Sequence, residues 1–234
     1  LASEAVPWPA PLAVVAAAID VLPHQLSAAI AFRTGASRRV ILADAVGSGK
    51  TIQAGIAIAE TVRLERDARV LVVVPAGLKP QWCSELRDRF GLDVSAVDGA
   101  VPAALRWAEE PESPWGAPGV FLASLDYVKR PEVIAHLRGL GWHLVVVDEA
   151  HHATRSSDRG EALDRVCRLA TWVLLLTATP HDGDEARFGA LCRLGSVDED
   201  RVLVLRRSPS LHLAGAAVRA HPLVVEPSDE ERDR

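Results

Sequence analysis

The stretch Leu144–His151, LVVVDEAH, joins an apolar run to two consecutive acidic residues, Asp148 and Glu149. A short run of aliphatic residues predicts a strand that is buried on both faces, as in the parallel sheets of α/β proteins. Open α/β sheets bind ligands in the crevice outside the carboxyl ends of their strands. The two carboxylates are therefore expected at a ligand-binding edge of the sheet.

A glycine-rich segment, GSGKT at residues 47–51, follows a second apolar run, Arg39–Ala43. Gly47 and Gly49 let the backbone bend so that its N–H groups can surround phosphate oxygens. The Lys50 ammonium can then reach the β- and γ-phosphates of a nucleotide. A loop of this composition predicts a site for a nucleoside triphosphate.

The acidic residues supply the other half of that site. The Thr51 hydroxyl and Asp148 are expected to hold Mg²⁺, the aspartate commonly through water. Glu149 would orient the attacking water and accept its proton. The order and strand-end placement of the two motifs predict an ATPase that uses ATP and Mg²⁺, with Lys50, Asp148 and Glu149 as its catalytic residues.

Strands and helices alternate along the chain, which predicts an α/β fold with a mostly parallel central sheet covered on both faces. Besides the two runs above, strands are expected at Val70–Val74, Gly119–Ala123 and Trp172–Leu176. Helices are expected at His24–Arg33, Lys50–Arg63, Lys79–Phe90, Pro131–Arg138, Glu161–Leu169 and Asp184–Leu194. Three prolines predict a surface loop over Glu109–Pro118.

The composition fits one sizeable globular domain, with 234 residues, 49% hydrophobic content and a formal net charge of −5. This charge argues against a globally basic nucleic-acid binder but does not exclude a local groove. The longest apolar stretch, Pro11–Val21, contains Asp20 and is too short to span a bilayer. We therefore expect a cytoplasmic protein without membrane contact.

Three widely spaced cysteines, Cys83, Cys167 and Cys192, are an odd number and indicate buried free thiols. A chain that starts at Leu1 and lacks methionine is expected to be an excerpt of a longer protein. Abundant alanine, arginine and valine with little lysine favour a bacterial source.

Further strings stand in a fixed order around the two phosphate-binding segments: LPHQ at Leu22–Gln25, VPAGLKPQW at Val74–Trp82, SLDY at Ser124–Tyr127 and TATP at Thr177–Pro180. Together the strings resemble the motifs of the first RecA-like domain of helicase superfamily two, most closely its Swi/Snf-type branch of double-stranded DNA translocases. The bacterial ATPases that recycle RNA polymerase have similar motif sequences. The resemblance departs from the branch pattern at Ala45, where an acidic residue is usual.

The resemblance implies a RecA-like P-loop three-layer sandwich and assigns further site residues. ATP would contact Gln25, at the adenine edge, and Asp44, Gly47, Ser48, Gly49, Lys50 and Thr51. Coupling between the ATP state and the nucleic-acid groove is implied for His151, Thr177 and Thr179. DNA backbone phosphates would contact Lys79, Gln81 and Ser124.

The same resemblance implies a two-lobed motor. Residues 1–21 would form a lead-in, 22–207 the first lobe, ending at Arg206 and Arg207, and 208–234 a linker towards a second RecA-like lobe of the same protein. Because the second lobe supplies the arginine finger, the isolated chain is expected to be nearly inactive. The expected partners are duplex DNA, that lobe and other subunits of a complex.

Alternative interpretations remain at several positions. Thr177 and Thr179 can equally cap a turn, and Trp82 is expected to pack in the core and not to stack on bases. Adjacent histidines such as His151 and His152 seldom share one metal ion on a helix. For the whole chain, the alternatives are a P-loop ATPase that remodels a protein partner without DNA translocation, and a non-catalytic scaffold. Retention of Lys50, with the other catalytic residues, argues against the scaffold.

Overall fold

The computed structural model describes residues 22–44, 47–97, 115, 117–153, 158–178, 185–198 and 200–206. In this part of the chain seven parallel strands form one sheet, in the order β3-β4-β2-β5-β6-β1-β7. The strands are β1 Arg39–Leu42, β2 Arg69–Val74, β3 Val94–Val97, β4 Gly119–Ser124, β5 Trp142–Val147, β6 Ala170–Leu176 and β7 Val202–Leu205. The predicted parallel sheet is confirmed.

Helices lie between most of the strands. They are α1 Ser27–Arg33, α2 Lys50–Leu64, α3 Lys79–Phe90, α4 Leu125–Val128, α5 Pro131–Leu137, α6 Asp158–Arg168 and α7 Glu185–Arg193. Single 3₁₀ turns lie at Pro23–Leu26, Ala76–Leu78 and Ala150–Ala153. Helix α3 carries a proline in its first turn, where the missing N–H has no helical partner to lose. The predicted helices are present, with boundaries that differ from the prediction by at most three residues.

The sheet has a hydrophobic core on each face. Successive side chains of a strand point to opposite faces, and in β1 Ile41 belongs to one core while Val40 and Leu42 belong to the other. Helices therefore cover both faces, as a three-layer arrangement requires. This burial explains why the central strands are almost wholly apolar.

Two strands and one buried tryptophan were absent from the sequence prediction. Strands β3 and β7 lie at the sheet edges, where partly exposed residues interrupt the apolar pattern. Within the predicted surface loop, Trp115 is only 2% exposed and packs edge-on against Trp142 at a centroid distance of 6.0 Å. The prediction of a surface location is wrong for this residue, because its large apolar ring completes the core. The rest of that loop up to residue 114 lies outside the described residues.

Several other predictions fall outside the described residues. These are the lead-in 1–21, the linker 208–234, and the positions Ala45, Thr179 and Arg207. Within the described ranges, no helix is both long enough and apolar enough to cross a membrane. The cysteines there are free thiols, two of them buried and Cys83 half-buried.

Candidate functional site

The carboxyl ends of three neighbouring strands bring the predicted motifs together. In the sheet β6 lies between β1, which leads to the glycine-rich loop, and β5, which leads to the acids. Thr177, just after β6, donates its N–H to the carbonyl of Leu42 at 3.0 Å. The loop, Thr177 and the acidic pair therefore stand side by side at one edge of the sheet, as predicted for a nucleotide site.

The glycine-rich loop has the backbone that phosphate binding requires. Gly47 and Gly49 have φ angles of 80° and 82°, in the left-handed region that glycine adopts without a steric penalty. Helix α2 starts at Lys50, so its first N–H groups and the positive end of its dipole face the loop. The Ser48 hydroxyl is buried there without a hydrogen-bond partner among the described residues. A polyphosphate would satisfy these donors.

Lys50 lies among the acidic groups of the site. Its Nζ donates a hydrogen bond to the carbonyl oxygen of Asp44 at 2.7 Å. Burial lowers the pKa of Lys50, while the nearby carboxylates of Glu149, Asp44 and Asp148 act in the opposite direction. Lys50 can thus exchange a carbonyl oxygen for a phosphate oxygen without leaving the loop.

Two buried polar side chains, Asp44 and Gln25, lie beside the glycine-rich loop. Asp44 is 1% exposed, and its carboxylate accepts a hydrogen bond from Gln53 of α2 at 3.3 Å. Gln25 is 8% exposed and accepts the N–H of Leu22 at 2.9 Å. A Cβ at Gly49 would lie 2.7 Å from the Gln25 amide nitrogen, so the two segments are in close contact. The adenine contact expected of Gln25 stays a prediction.

Both oxygens of the Asp148 carboxylate are held by hydrogen bonds. One accepts the backbone N–H of Glu149 at 2.9 Å, and the other accepts the indole N–H of Trp82 at 2.9 Å. Glu149 has a φ of 50°, a left-handed conformation that costs a non-glycine residue roughly 1–2 kcal/mol. Strained backbone of this kind often occurs at functional sites, where the surrounding structure holds it in place.

His151 connects the acidic pair to the end of β6. Its Nδ1 lies 3.2 Å from a carboxylate oxygen of Glu149, which is within ion-pair distance. The two groups do not form a hydrogen bond. The same nitrogen lies 3.3 Å from the hydroxyl of the fully buried Thr177. His152 packs its ring on His151 at 4.1 Å. His151 and Thr177, two of the residues expected to couple the ATP state to the nucleic-acid groove, are thus neighbours, and Thr179 lies outside the described residues.

The residues expected to contact DNA follow two neighbouring strands. Val74 of β2 is in register with Ser124 of β4, so both segments emerge at the same edge. Lys79 is half-buried and Gln81 is exposed in the first turn of α3. Ser124 is only 8% exposed, and its hydroxyl caps α4 by accepting the N–H of Tyr127 at 3.2 Å. The accessible part of this surface is therefore the start of α3.

The hydrogen bond between Trp82 and Asp148 was not predicted from the sequence. Trp82 is 2% exposed, which confirms its predicted core location. A buried indole N–H usually finds a partner, and that rule is a weak signal that a partner exists. The partner is 66 residues away along the chain, so the sequence alone does not identify it. The hydrogen bond from Gln53 to Asp44, which lies nine residues away, was also missed.

Comparison with known proteins identifies what this arrangement is similar to. Residues 22–187 match the DEAD/DEAH box helicase family. The RNA polymerase-associated protein RapA of Cronobacter sakazakii (strain ATCC BAA-894) is 39% identical over 181 residues, which cover 74% of this chain and 18% of that protein. RapA of Yersinia pestis (strain Pestoides F) is 36% identical over 191 residues, 78% of this chain and 19% of that protein. The chain thus spans about a fifth of the length of these relatives.

A solved structure supports the same fold. The Sulfolobus solfataricus SWI2/SNF2 ATPase core in complex with dsDNA superposes with a TM-score of 0.61 and 17% sequence identity, covering 75% of this chain and 36% of that one. At this identity the likeness speaks for the fold alone. Together the comparisons confirm the Swi/Snf-type resemblance and the RecA-like α/β fold predicted from the motifs.

Proposed function

This chain belongs to the DEAD/DEAH box helicase family, as a first RecA-like domain of Swi/Snf type, and we propose that it is the ATP-binding lobe of a motor that moves along double-stranded DNA. The observation that carries this proposal is the meeting of the glycine-rich loop, Thr177 and the two acids at one sheet edge. The N–H groups expected to bind phosphates and the carboxylates expected to hold a metal therefore lie at the same edge of the sheet.

Each residue of the crevice has a chemical task in this proposal. Lys50 binds the β- and γ-phosphates, and the Thr51 hydroxyl and the Asp148 carboxylate hold Mg²⁺. The metal supplies charge neutralisation at the phosphates. Glu149 accepts the proton of the attacking water. His151 would report the state of Glu149 to Thr177, which it also contacts.

Duplex DNA is the proposed track. The start of α3 presents Lys79 and Gln81, which can bind backbone phosphates without reading bases. The structural neighbour from Sulfolobus solfataricus is described as bound to dsDNA. Contacts of this type give an affinity that falls with salt and depends little on base sequence.

Full turnover requires a second lobe in this proposal. An arginine finger contributes roughly 10³–10⁵ in rate to phosphoryl transfer, and in motors of this type the second RecA-like lobe supplies it. Residues 22–207 would then form lobe one and 208–234 a linker to lobe two. A bacterial, cytoplasmic setting is proposed by analogy with the relatives from Cronobacter and Yersinia.

A second candidate function is remodelling of a protein partner without movement on DNA. The relatives at 36–39% identity are named RNA polymerase-associated proteins, which favours a protein contact in a larger complex. The two candidates share the ATP site. They differ in whether duplex DNA binds the lobe and stimulates hydrolysis.

A reciprocal pair of lysine variants tests the ATP and DNA sites. Lys50→Ala should remove measurable ATP binding in calorimetry and leave duplex affinity unchanged. Lys79→Ala should leave ATP affinity unchanged, weaken duplex binding, and lower the salt slope of DNA binding by about one contact. Unchanged ATP affinity in Lys50→Ala would show that the site assignment is wrong. ATP binding without any duplex binding would favour the protein-remodelling candidate.

Phosphate release tests the division of labour between lobes. The 234-residue chain should hydrolyse ATP barely and without DNA stimulation, whereas the longer protein with the second lobe should be stimulated. In that longer protein Glu149→Gln should stop hydrolysis while ATP still binds, because the amide cannot accept a proton. Full DNA-stimulated activity of the short chain, independent of its concentration, would contradict the two-lobe proposal.

A further inference from the structure

We propose that Trp82 is a positioning residue for the metal-binding carboxylate of Asp148, an inference that rests on the proposed ATP site. The indole N–H donates to one carboxylate oxygen at 2.9 Å, and the ring is only 2% exposed. The other carboxylate oxygen is held by the N–H of Glu149 at 2.9 Å. Two donors from different parts of the chain therefore fix the plane of this carboxylate.

The orientation of the Asp148 carboxylate is not set by the backbone alone. The terminal torsion of an aspartate is broad, so the backbone alone does not set the orientation of its oxygens. The Asp148 backbone is anchored, because its N–H donates to Val73 at 2.8 Å, but this bond leaves the side chain free to turn. An ionised carboxylate has about four lone-pair sites. With one site on each oxygen occupied by a fixed donor, the remaining sites have a defined direction for a metal or its water.

The donor comes from a helix with a second role. Helix α3 holds Trp82 towards the sheet, and its first turn carries the proposed DNA residues Lys79 and Gln81. The hydrogen bond from the buried Trp82 ring to Asp148 thus connects the helix that carries the proposed DNA surface with the proposed metal ligand. Outer partners of this kind typically change metal affinity by about 10–100-fold when they are removed.

Packing alone is the competing explanation, and the chain offers a matched control for it. Trp142 is 1% exposed, and its indole N–H donates to the carbonyl of Leu137 at 2.9 Å. It lies at the start of β5, whereas Asp148 follows the end of that strand. Trp142→Phe therefore removes an equally buried indole donor at the opposite end of the strand from the proposed metal site.

The experiment measures Mn²⁺ binding to the 234-residue chain by electron paramagnetic resonance, with saturating ADP present. Trp82→Phe should weaken Mn²⁺ binding about 10–100-fold, while ADP affinity in EDTA should stay unchanged. Trp142→Phe should bind Mn²⁺ normally. Normal Mn²⁺ affinity in Trp82→Phe, or an equal loss in Trp142→Phe, overturns the positioning role.

The same data separate this inference from the proposed function. If the unmodified chain binds no ADP, or if Lys50→Ala binds ADP as well as the unmodified chain does, the ATP site fails and the inference fails with it. If ADP and Mn²⁺ bind to the unmodified chain as proposed and Trp82→Phe also binds Mn²⁺ normally, the inference alone is wrong.

A second measurement does not require Trp82→Phe to fold. In the ¹⁵N-labelled chain the indole N–H signal of Trp82 can be assigned by elimination with phenylalanine variants of the other tryptophans. Addition of Mg²⁺ to the ADP complex should shift that signal and leave the signal of Trp142 in place. An unmoved Trp82 signal would overturn the proposal.

Discussion

Replacement of Asp200 by alanine should destabilise the protein by about 3 kcal/mol, because it leaves a buried guanidinium without its counter-ion. Arg39, the first residue of β1, is 2% exposed, and its Nε donates to Asp200 at 2.8 Å. The same carboxylate accepts hydrogen bonds from Arg38 at 3.2 Å, Ser196 at 3.0 Å and Val197 at 3.1 Å. Removal of one partner of a buried pair costs about 3–5 kcal/mol, and an Asp200 side chain that is 18% exposed places the loss at the lower end.

Urea unfolding followed by circular dichroism measures this loss. A matched control is Asp126→Ala, because Asp126 also pairs with two cations, Lys129 at 2.9 Å and Arg159 at 2.7 Å, but its side chain is 55% exposed. Exposed pairs contribute about 0–1 kcal/mol, so this variant should lose less than about 1 kcal/mol. If Asp200→Ala lost no more than Asp126→Ala, the claim that Arg39 depends on its counter-ion would be wrong.

The same carboxylate predicts a pH dependence. Burial by itself raises the pKa of Asp200, but hydrogen bonds from Arg39, Val197 and Ser196 outweigh it and bring the pKa below its ordinary value of 3.8. The stabilisation is therefore complete above pH 3.8 and is lost as the pH falls through the lower folded pKa. Asp200→Asn should lack this part of the acid transition, so its stability and that of the unmodified chain should converge below that pH. A constant difference down to the lowest pH would contradict the assignment.

Two further predictions concern a thiol and a glycine. Burial raises the pKa of Cys167 to about 12, so iodoacetamide at pH 8 should label the half-buried Cys83 and spare Cys167 until the protein is unfolded, as mass spectrometry would show. Gly49→Ala should weaken ATP binding about tenfold, because a left-handed alanine costs roughly 1–2 kcal/mol and its Cβ would meet Gln25 at 2.7 Å. Gly35→Ala is the control, with a φ of 66° and nothing near its Cβ; equal loss of ATP affinity in both variants would refute the local explanation.

The central strands were predictable because burial on both faces leaves a mark in the sequence. Runs such as Val70–Val74 and Leu144–Val147 are apolar at every position. Edge strands carry no such mark, and β3 is half exposed within the sequence Val94–Val97. Trp115 was misassigned because neighbouring prolines dominate the local pattern, while its burial depends on packing against Phe121 and Trp142 of the sheet.

The candidate site also has a part that the sequence predicts and a part that it does not. The positions of the glycine-rich loop and the acids follow from local composition and from the rule that parallel strands end at one edge. The contacts between them do not. The hydrogen bonds that join Trp82 to Asp148 and Arg39 to Asp200 span 66 and 161 residues, and strand order and helix packing decide which distant groups meet.

The charges around Lys50 suggest why the proposed ATP site would need an arginine from a second lobe. Three carboxylates, those of Glu149, Asp44 and Asp148, act on one ammonium group at the loop. A triphosphate that enters this crevice adds more negative charge close to the acids, and Coulomb repulsion is strong where water is partly excluded. Mg²⁺ held by Asp148 and Thr51 would offset part of that charge. In the proposed motor, an arginine from a second lobe would add a further cation for the charge that develops during phosphoryl transfer, and it would arrive only when the two lobes close. In the proposed motor, the acids would therefore make hydrolysis depend on closure of the two lobes.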